Sequence, residues 1–188
     1  IAVYMYEGDT PLAERRAAAL ALDRDLLREL LGSEELRELI DPEVLADLEL
    51  ELQRLVEGRR ARDADEVHDL LRLLGPLTLE EIDIRCEGDA AALVSALADD
   101  RRAYVASVAG EDRWAITEDA GRLRDALGVA VPVGLPAAFT DPVDDPMADL
   151  VARYARTHAP FTAVSLAARY GVSVERVLPS LERLEADG

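Results

Sequence analysis

Apolar residues recur along this chain mainly at steps of three and four, so the pattern predicts helices almost throughout. Thr10-Pro11, Asp41-Pro42 and Asp145-Pro146 each place a capping oxygen before a proline suited to the first helical turn. Asp23 and Ser33 can cap short helices over Arg24–Leu31 and Glu34–Ile40, and Gly32 ends the first of them. After Pro42, Leu45, Leu48, Leu52 and Leu55 trace one face that is expected to be buried. Residues 10–58 thus read as four helices. The polar run Glu57-Gly58-Arg59-Arg60-Ala61-Arg62 follows as the best boundary.

Beyond it the rhythm changes. Val67, Leu70, Leu71 and Leu74 form a stripe that Gly75-Pro76 ends. Thr78-Leu79-Glu80-Glu81 is a capping box opening a second helix, with Ile82 and Cys86 inward. Asp89 caps a third helix bearing Leu93, Val94 and Leu97. Two strand-like runs, Tyr104–Val108 and Arg113–Ile116, then flank the turn Ala109-Gly110-Glu111-Asp112. Three helices followed by a hairpin is the winged-helix order, with the second and third helices as the helix-turn-helix pair.

The pattern also repeats. Gly75-Pro76-Leu77-Thr78 returns as Ala159-Pro160-Phe161-Thr162, which sets Ile82 on Leu166 and Cys86 on Tyr170. Met147, Leu150, Val151 and Tyr154 precede the second copy, Gly171-Val172-Ser173 makes its turn, and Val177, Leu181 and Leu184 its last helix face. The fold class expected is mainly α, with one short β-hairpin and tandem winged-helix units, the second stopping before its wing. The expected divisions are 1–62 helical, 63–128 the first winged helix, 129–143 a proline-rich linker and 144–188 the second unit. Asp119–Leu127 reads as a helix. Without a wing of its own, the second unit is expected to be the less well ordered and to expose apolar surface suited to self-association or to cover by the linker.

Composition narrows the chemistry. Of 188 residues, 49% are apolar and only 4% aromatic, so the core is built mainly from Leu, Val and Ala. All 21 basic residues are arginine, lysine being absent, and the net charge of −18 opposes nonspecific attraction to nucleic acid or anionic membrane. One cysteine, Cys86, excludes an intrachain disulfide framework. No apolar run approaches a membrane span, which suggests a cytoplasmic protein. The absent initiator Met and the abrupt ends suggest a piece of a longer chain.

No phosphate loop of the G-x-x-x-x-G-K-[ST] type is possible without lysine. His68 and His158 are far apart and read as solvated or satisfied side chains rather than metal ligands. Cys86 reads as core, with no base nearby to activate a nucleophile. Asp141, Asp144, Asp145 and Asp149 resemble a hard-cation cluster, but helix capping and first-turn placement explain Asp145 and Asp149 better. Neither a catalytic residue nor a cofactor or metal ligand is assigned. DNA contact would fall to Arg101, Arg102 and Arg113 on the wing with Trp114 beside them, and to Arg176 and Arg183 on the second unit's third helix. Against this, the first unit's third helix, Asp89–Asp100, has three aspartates and no arginine, a poor surface for a major groove. Trp114 alternates with Ile116 and reads more simply as hairpin core.

Longer strings carry a family likeness. Tyr4-Met5-Tyr6-Glu7-Gly8-Asp9-Thr10-Pro11-Leu12-Ala13-Glu14-Arg15-Arg16-Ala17 resembles the end of the DEAD/H-associated region of the large helicase-related (Lhr) proteins. Leu30-Leu31-Gly32-Ser33-Glu34-Glu35-Leu36-Arg37, Glu118-Asp119-Ala120-Gly121-Arg122-Leu123-Arg124-Asp125-Ala126-Leu127-Gly128 and Leu150-Val151-Ala152-Arg153-Tyr154-Ala155-Arg156-Thr157-His158 look like actinobacterial members. The resemblance implies a segment of an ATP-dependent superfamily 2 DNA helicase, a 3′-to-5′ translocase with a DNA-repair role. Its partners would be DNA, the motor lobes and further winged-helix modules of the same chain. ATP and Mg would belong to the motor lobes, whose motifs are not in this sequence. The competing reading is a tandem winged-helix transcriptional regulator or a protein–protein assembly module.

Overall fold

A computed structural model describes residues 41–187. The helix start at Thr10-Pro11 and the helices expected over Arg24–Leu31 and Glu34–Ile40 lie outside the described residues. By its internal contacts the chain divides into Ile1–Val44, described only through the opening of helix α1, and Leu45–Gly188, which holds all that follows. Helix α1 is Pro42–Leu52, opened by Asp41, whose Oδ1 accepts from the Glu43 N–H at 2.9 Å. Its leucine face is not buried as the spacing suggested: Leu48 is 41% exposed, and α1 contains no buried residue. Polar groups attach this segment instead. The buried residue just past the helix is Gln53.

The first helix trio is α2 (Ala64–Leu74), α3 (Leu79–Asp83) and α4 (Ala90–Asp99). Asp63 and Asp89 cap α2 and α4, each accepting from a backbone N–H three residues on. The Thr78–Glu81 capping box opens α3 as the sequence predicts. At five residues α3 cannot persist alone, since isolated helices below about 12–15 residues are marginal in water. It is held by fully buried Ile82 and by the core around Val67, Leu71 and Leu97. Ala61 joins this core, and its backbone bonds to Arg85 and Glu87 tie the arginine-rich run to the end of α3.

The hairpin follows as β1 (Ala103–Val108) and β2 (Glu111–Ile116), antiparallel with Val108 opposite Glu111. The turn is therefore two residues, Ala109-Gly110, rather than four. Both have positive φ, 56° and 80°, the geometry of a type I′ turn whose twist matches paired strands. Glu111 and Asp112, expected in the turn, belong to β2.

A short 3₁₀ turn (Thr117–Asp119) leads into α5 (Ala120–Leu127), and the proline-rich stretch contains one helical turn, α6 (Ala137–Thr140). The second trio is α7 (Pro146–Thr157), α8 (Ala163–Tyr170) and α9 (Val174–Asp187). Asp145 caps α7 and Thr162 opens α8 with a capping box of its own. Leu166 occupies the place of Ile82, and both are wholly buried. The repeat is thus structural.

The unit expected at 63–128 does not close on itself. Strand alternation gives the hairpin two faces. Ala103 and Ile116, with Trp114 against them, join the first core. Tyr104, Ala106, Val108 and Ala115, on the other face, join the second core with α5, α7, α8 and Val177. The surface expected to lie open for want of a wing is therefore partly filled by the first unit's hairpin. Val131 and Leu135 of the proline-rich stretch pack there too. The face of α9 fades outward: Val177 is fully buried, but Leu184 remains 37% exposed.

Contact at the hairpin tip is close. Gly171 ends α8 at φ 64°, and a Cβ there would lie 2.7 Å from the Ala109 Cα. Gly171→Ala is expected to destabilise the chain by about 1–3 kcal/mol, through strained φ and collision with backbone. Urea unfolding measures it, and an unchanged midpoint would disprove the tip contact.

Candidate nucleic-acid interface

The six residues that sequence assigns to DNA differ in exposure and in partners. Arg113 is 6% exposed, since it shares the hairpin face of Ala106 that packs on the second core. It pairs with Glu111 at 2.7 Å. Its burial corrects its placement among outward contacts: the wing's solvent side carries Val105, Ser107 and Asp112 instead. Trp114 is partly buried and exchanges backbone bonds with Leu77 at 3.0 and 2.7 Å, as the hairpin-core reading expects. Arg102 pairs with Asp65 at 2.5 Å. Arg101 is exposed at the base of the hairpin with φ 58°. In the second trio Arg176 donates to the Ala126 carbonyl at 2.7 Å, and Arg183 pairs with Asp145 at 2.6 Å.

Between the two trios runs a polar seam that hydrophobic periodicity could not reveal. Asp119, with its side chain 3% exposed, receives Arg122 from α5 and Arg153 from α7. Arg169 of α8 grips Glu81 of α3 and donates to the Pro76 carbonyl at 2.8 Å. Burial works against the Glu81 charge, but the Arg169 bond and charge prevail and lower its pKa. Arg85 donates from Nε to the Gln53 carbonyl and from a guanidinium NH2 to Gln53 Oε1, both at 2.8 Å. That fixes the Gln53 amide, whose NH2 donates to the Thr157 carbonyl at 2.7 Å and faces His158 Nε2 at 3.2 Å. His158 Nε2 must then accept, so its proton sits on Nδ1 and is donated to the Tyr154 carbonyl at 2.9 Å. Stacking on Tyr154, with ring centroids 3.6 Å apart, holds the imidazole there.

A cluster of arginines lies elsewhere. A cleft of about 530 Å³ is walled by Arg54, Arg59, Arg60, Arg62 and Arg72, with Ala61, Leu70 and Leu73 among its apolar lining. Arg62 is pinned by Glu66 at 2.5 Å and Arg72 by Asp69 at 3.4 Å. Arg54, Arg59 and Arg60 have no carboxylate partner among the described residues. The sequence pattern marks this run only as a boundary and misses the cleft. The available signal was three arginines in four residues within so acidic a chain.

Other candidates resolve individually. His68 lies 3.4 Å from Glu118. Cys86 is buried, and burial followed by the nearby Asp83 charge pushes its thiol pKa up, opposite to a reactive thiolate. Of the aspartate run, Asp145 caps α7 and Asp149 pairs with Arg122. No three carboxylate, His or Cys side chains converge as a metal site among the described residues. No helix among them is long and apolar enough to cross a membrane.

Comparison with known proteins bears on this geometry. Residues 38–142 match the family described as "Large helicase-related protein, winged-helix domain". The whole chain is 54% identical over 189 residues to a protein of Mycolicibacterium smegmatis named "Lhr helicase/ probable uracil glycosylase". It is 44% identical over 191 residues to the "Lhr helicase/uracil glycosylase" of Escherichia coli K12. In both cases the chain spans 12% of the relative's length.

The seam carries a pH dependence. Burial lowers the His158 pKa from its ordinary 6.5, so the unfolded chain takes up this proton more readily than the folded one. Stability from neutral His158 is complete above pH 6.5 and declines as the pH falls toward the lowered value. Urea unfolding at successive pH values below neutrality should show this decline, and His158→Gln should flatten it. An equal decline in both proteins would refute the assignment.

Proposed function

The chain belongs to the large helicase-related protein family, and from that premise we propose that it is an accessory segment of an ATP-dependent superfamily 2 DNA helicase. In this reading the parent protein moves 3′ to 5′ along DNA in the cytoplasm and serves DNA repair. ATP and Mg are bound by motor lobes elsewhere in that protein, and this segment joins them to further winged-helix modules and guides the strand. The observation carrying the proposal is the match of the entire chain to a 12% stretch of two proteins named as helicases. A segment of that kind contributes architecture rather than a reaction.

The geometry favours this over a base-reading regulator. A winged helix that reads DNA directly places its last helix in the major groove and a basic wing beside it. Here α4 contains no arginine, and Arg113 of the wing is turned into the protein. The polar seam suits a rigid connector, because Arg153 reaches Asp119 and Arg169 reaches Glu81 only when the second helix trio is docked in place.

Two measurements test the proposal. The chain alone should neither bind nor hydrolyse ATP, and DNA-stimulated turnover by it would overturn the reading. In the parent helicase, Asp119→Ala should leave DNA-stimulated ATP turnover largely intact while lowering unwinding severalfold, by loosening the seam. Unwinding unaffected by a confirmed loss of seam stability would equally contradict the accessory role.

A further inference from the structure

We propose that the arginine cleft at residues 54–72 is a track for the phosphodiester backbone of single-stranded DNA, read without regard to sequence. The inference rests on the accessory-helicase reading and adds to it the place where the strand lies. Three observations carry it.

The first is charge. Among the described residues five guanidiniums face two carboxylates, Glu66 and Asp69, a net charge of +3 for that lining in a chain whose total is −18. Such a concentration draws polyanions to one place while the rest of the surface repels them. Arg62 and Arg72 are half-committed to neighbouring carboxylates, whereas Arg54, Arg59 and Arg60 have no carboxylate partner among the described residues and offer forks that can meet phosphate oxygens bidentately.

The second is rigidity. The Arg59–Arg62 run is not a loose tail. Ala61 N–H donates to the Arg85 carbonyl at 2.8 Å and its carbonyl accepts from Glu87 N–H at 2.7 Å. The Arg62 N–H is held by Glu66 Oε2 at 2.9 Å. Arg54 sits at φ 59°, a left-handed conformation that costs a non-glycine residue energy and is retained where surrounding structure or function demands it. Anchored backbone lowers the ordering cost of binding.

The third is the character of the lining. Ala61, Leu70 and Leu73 supply apolar surface for sugar edges, and among the described residues no aromatic ring lines the cleft. A site that stacks bases uses aromatic platforms, so this one holds backbone and leaves bases unread. DNA is the substrate class of the proposed helicase.

The test is fluorescence anisotropy of the intact chain with labelled oligo-dT, oligo-dA and a duplex across a salt series. Arg54→Ala/Arg59→Ala/Arg60→Ala should weaken single-strand binding at low salt roughly tenfold or more, equally for both sequences, and reduce the salt slope by about 2. Arg59→Lys/Arg60→Lys should largely keep that slope, because charge is retained. Circular dichroism and unfolding midpoints should match the unsubstituted chain, since Arg59 and Arg60 are exposed. Wild-type binding that the triple variant leaves unchanged would overturn the cleft assignment while sparing the accessory role. The assignment also falls if Arg156→Ala, removing an arginine outside the cleft, costs as much as the triple variant. Tighter binding to duplex, or equal binding to poly-glutamate, would also overturn it. No binding to any DNA would overturn it too; the unwinding measurement on the parent protein judges the accessory role separately.

Discussion

A two-stranded hairpin leaves both faces and both edges open, and an isolated one is at best marginally stable in water. In this chain the two faces pack on different helix trios, the first of them only at the base of the hairpin, where Val105 and Ser107 beyond it stay exposed. Ala103 and Ile116 belong to the first core; Tyr104, Ala106, Val108 and Ala115 belong to the second. Neither trio has another strand to complete it among the described residues. The wing is therefore a shared wall, and the geometry of the polar seam follows from where that wall holds α3, α7 and α8.

The seam adds specificity. Buried ion pairs such as Asp119 with Arg122 and Arg153 contribute little net stability once desolvation is counted. Loss of one partner is different: a guanidinium without its carboxylate costs about 3–5 kcal/mol. The seam therefore opposes alternative dockings more than it strengthens the native one.

Local chemistry was legible in the sequence, and shared surfaces were not. Asp63, Thr78, Asp89 and Asp145 cap helices where their neighbours predict, because a cap depends on residues within one turn. The offset between Ile82 and Leu166 survives as two equivalent buried positions for the same reason. Arg113 deceived because alternation fixes which residues share a strand face but not what covers that face. The leucines of α1 suggested a buried stripe, yet Gln53 makes the buried contacts, directed by Arg85 from 32 residues away. The arginine cleft was visible as composition, but its concavity depends on the Ala61–Cys86 bridge, which joins segments distant in sequence.

The shared wall predicts that both helix trios unfold together, which two probes in one urea titration test directly. Trp114 is the sole tryptophan and reports the hairpin against the first core. The methyl resonances of Leu166 report the interior of the second. Coincident transitions with one midpoint are the expected result, as all-or-none unfolding requires. Loss of the Leu166 signals at clearly lower urea, while Trp114 keeps its native emission, would mean that the second trio stands independently of the hairpin and would contradict the account.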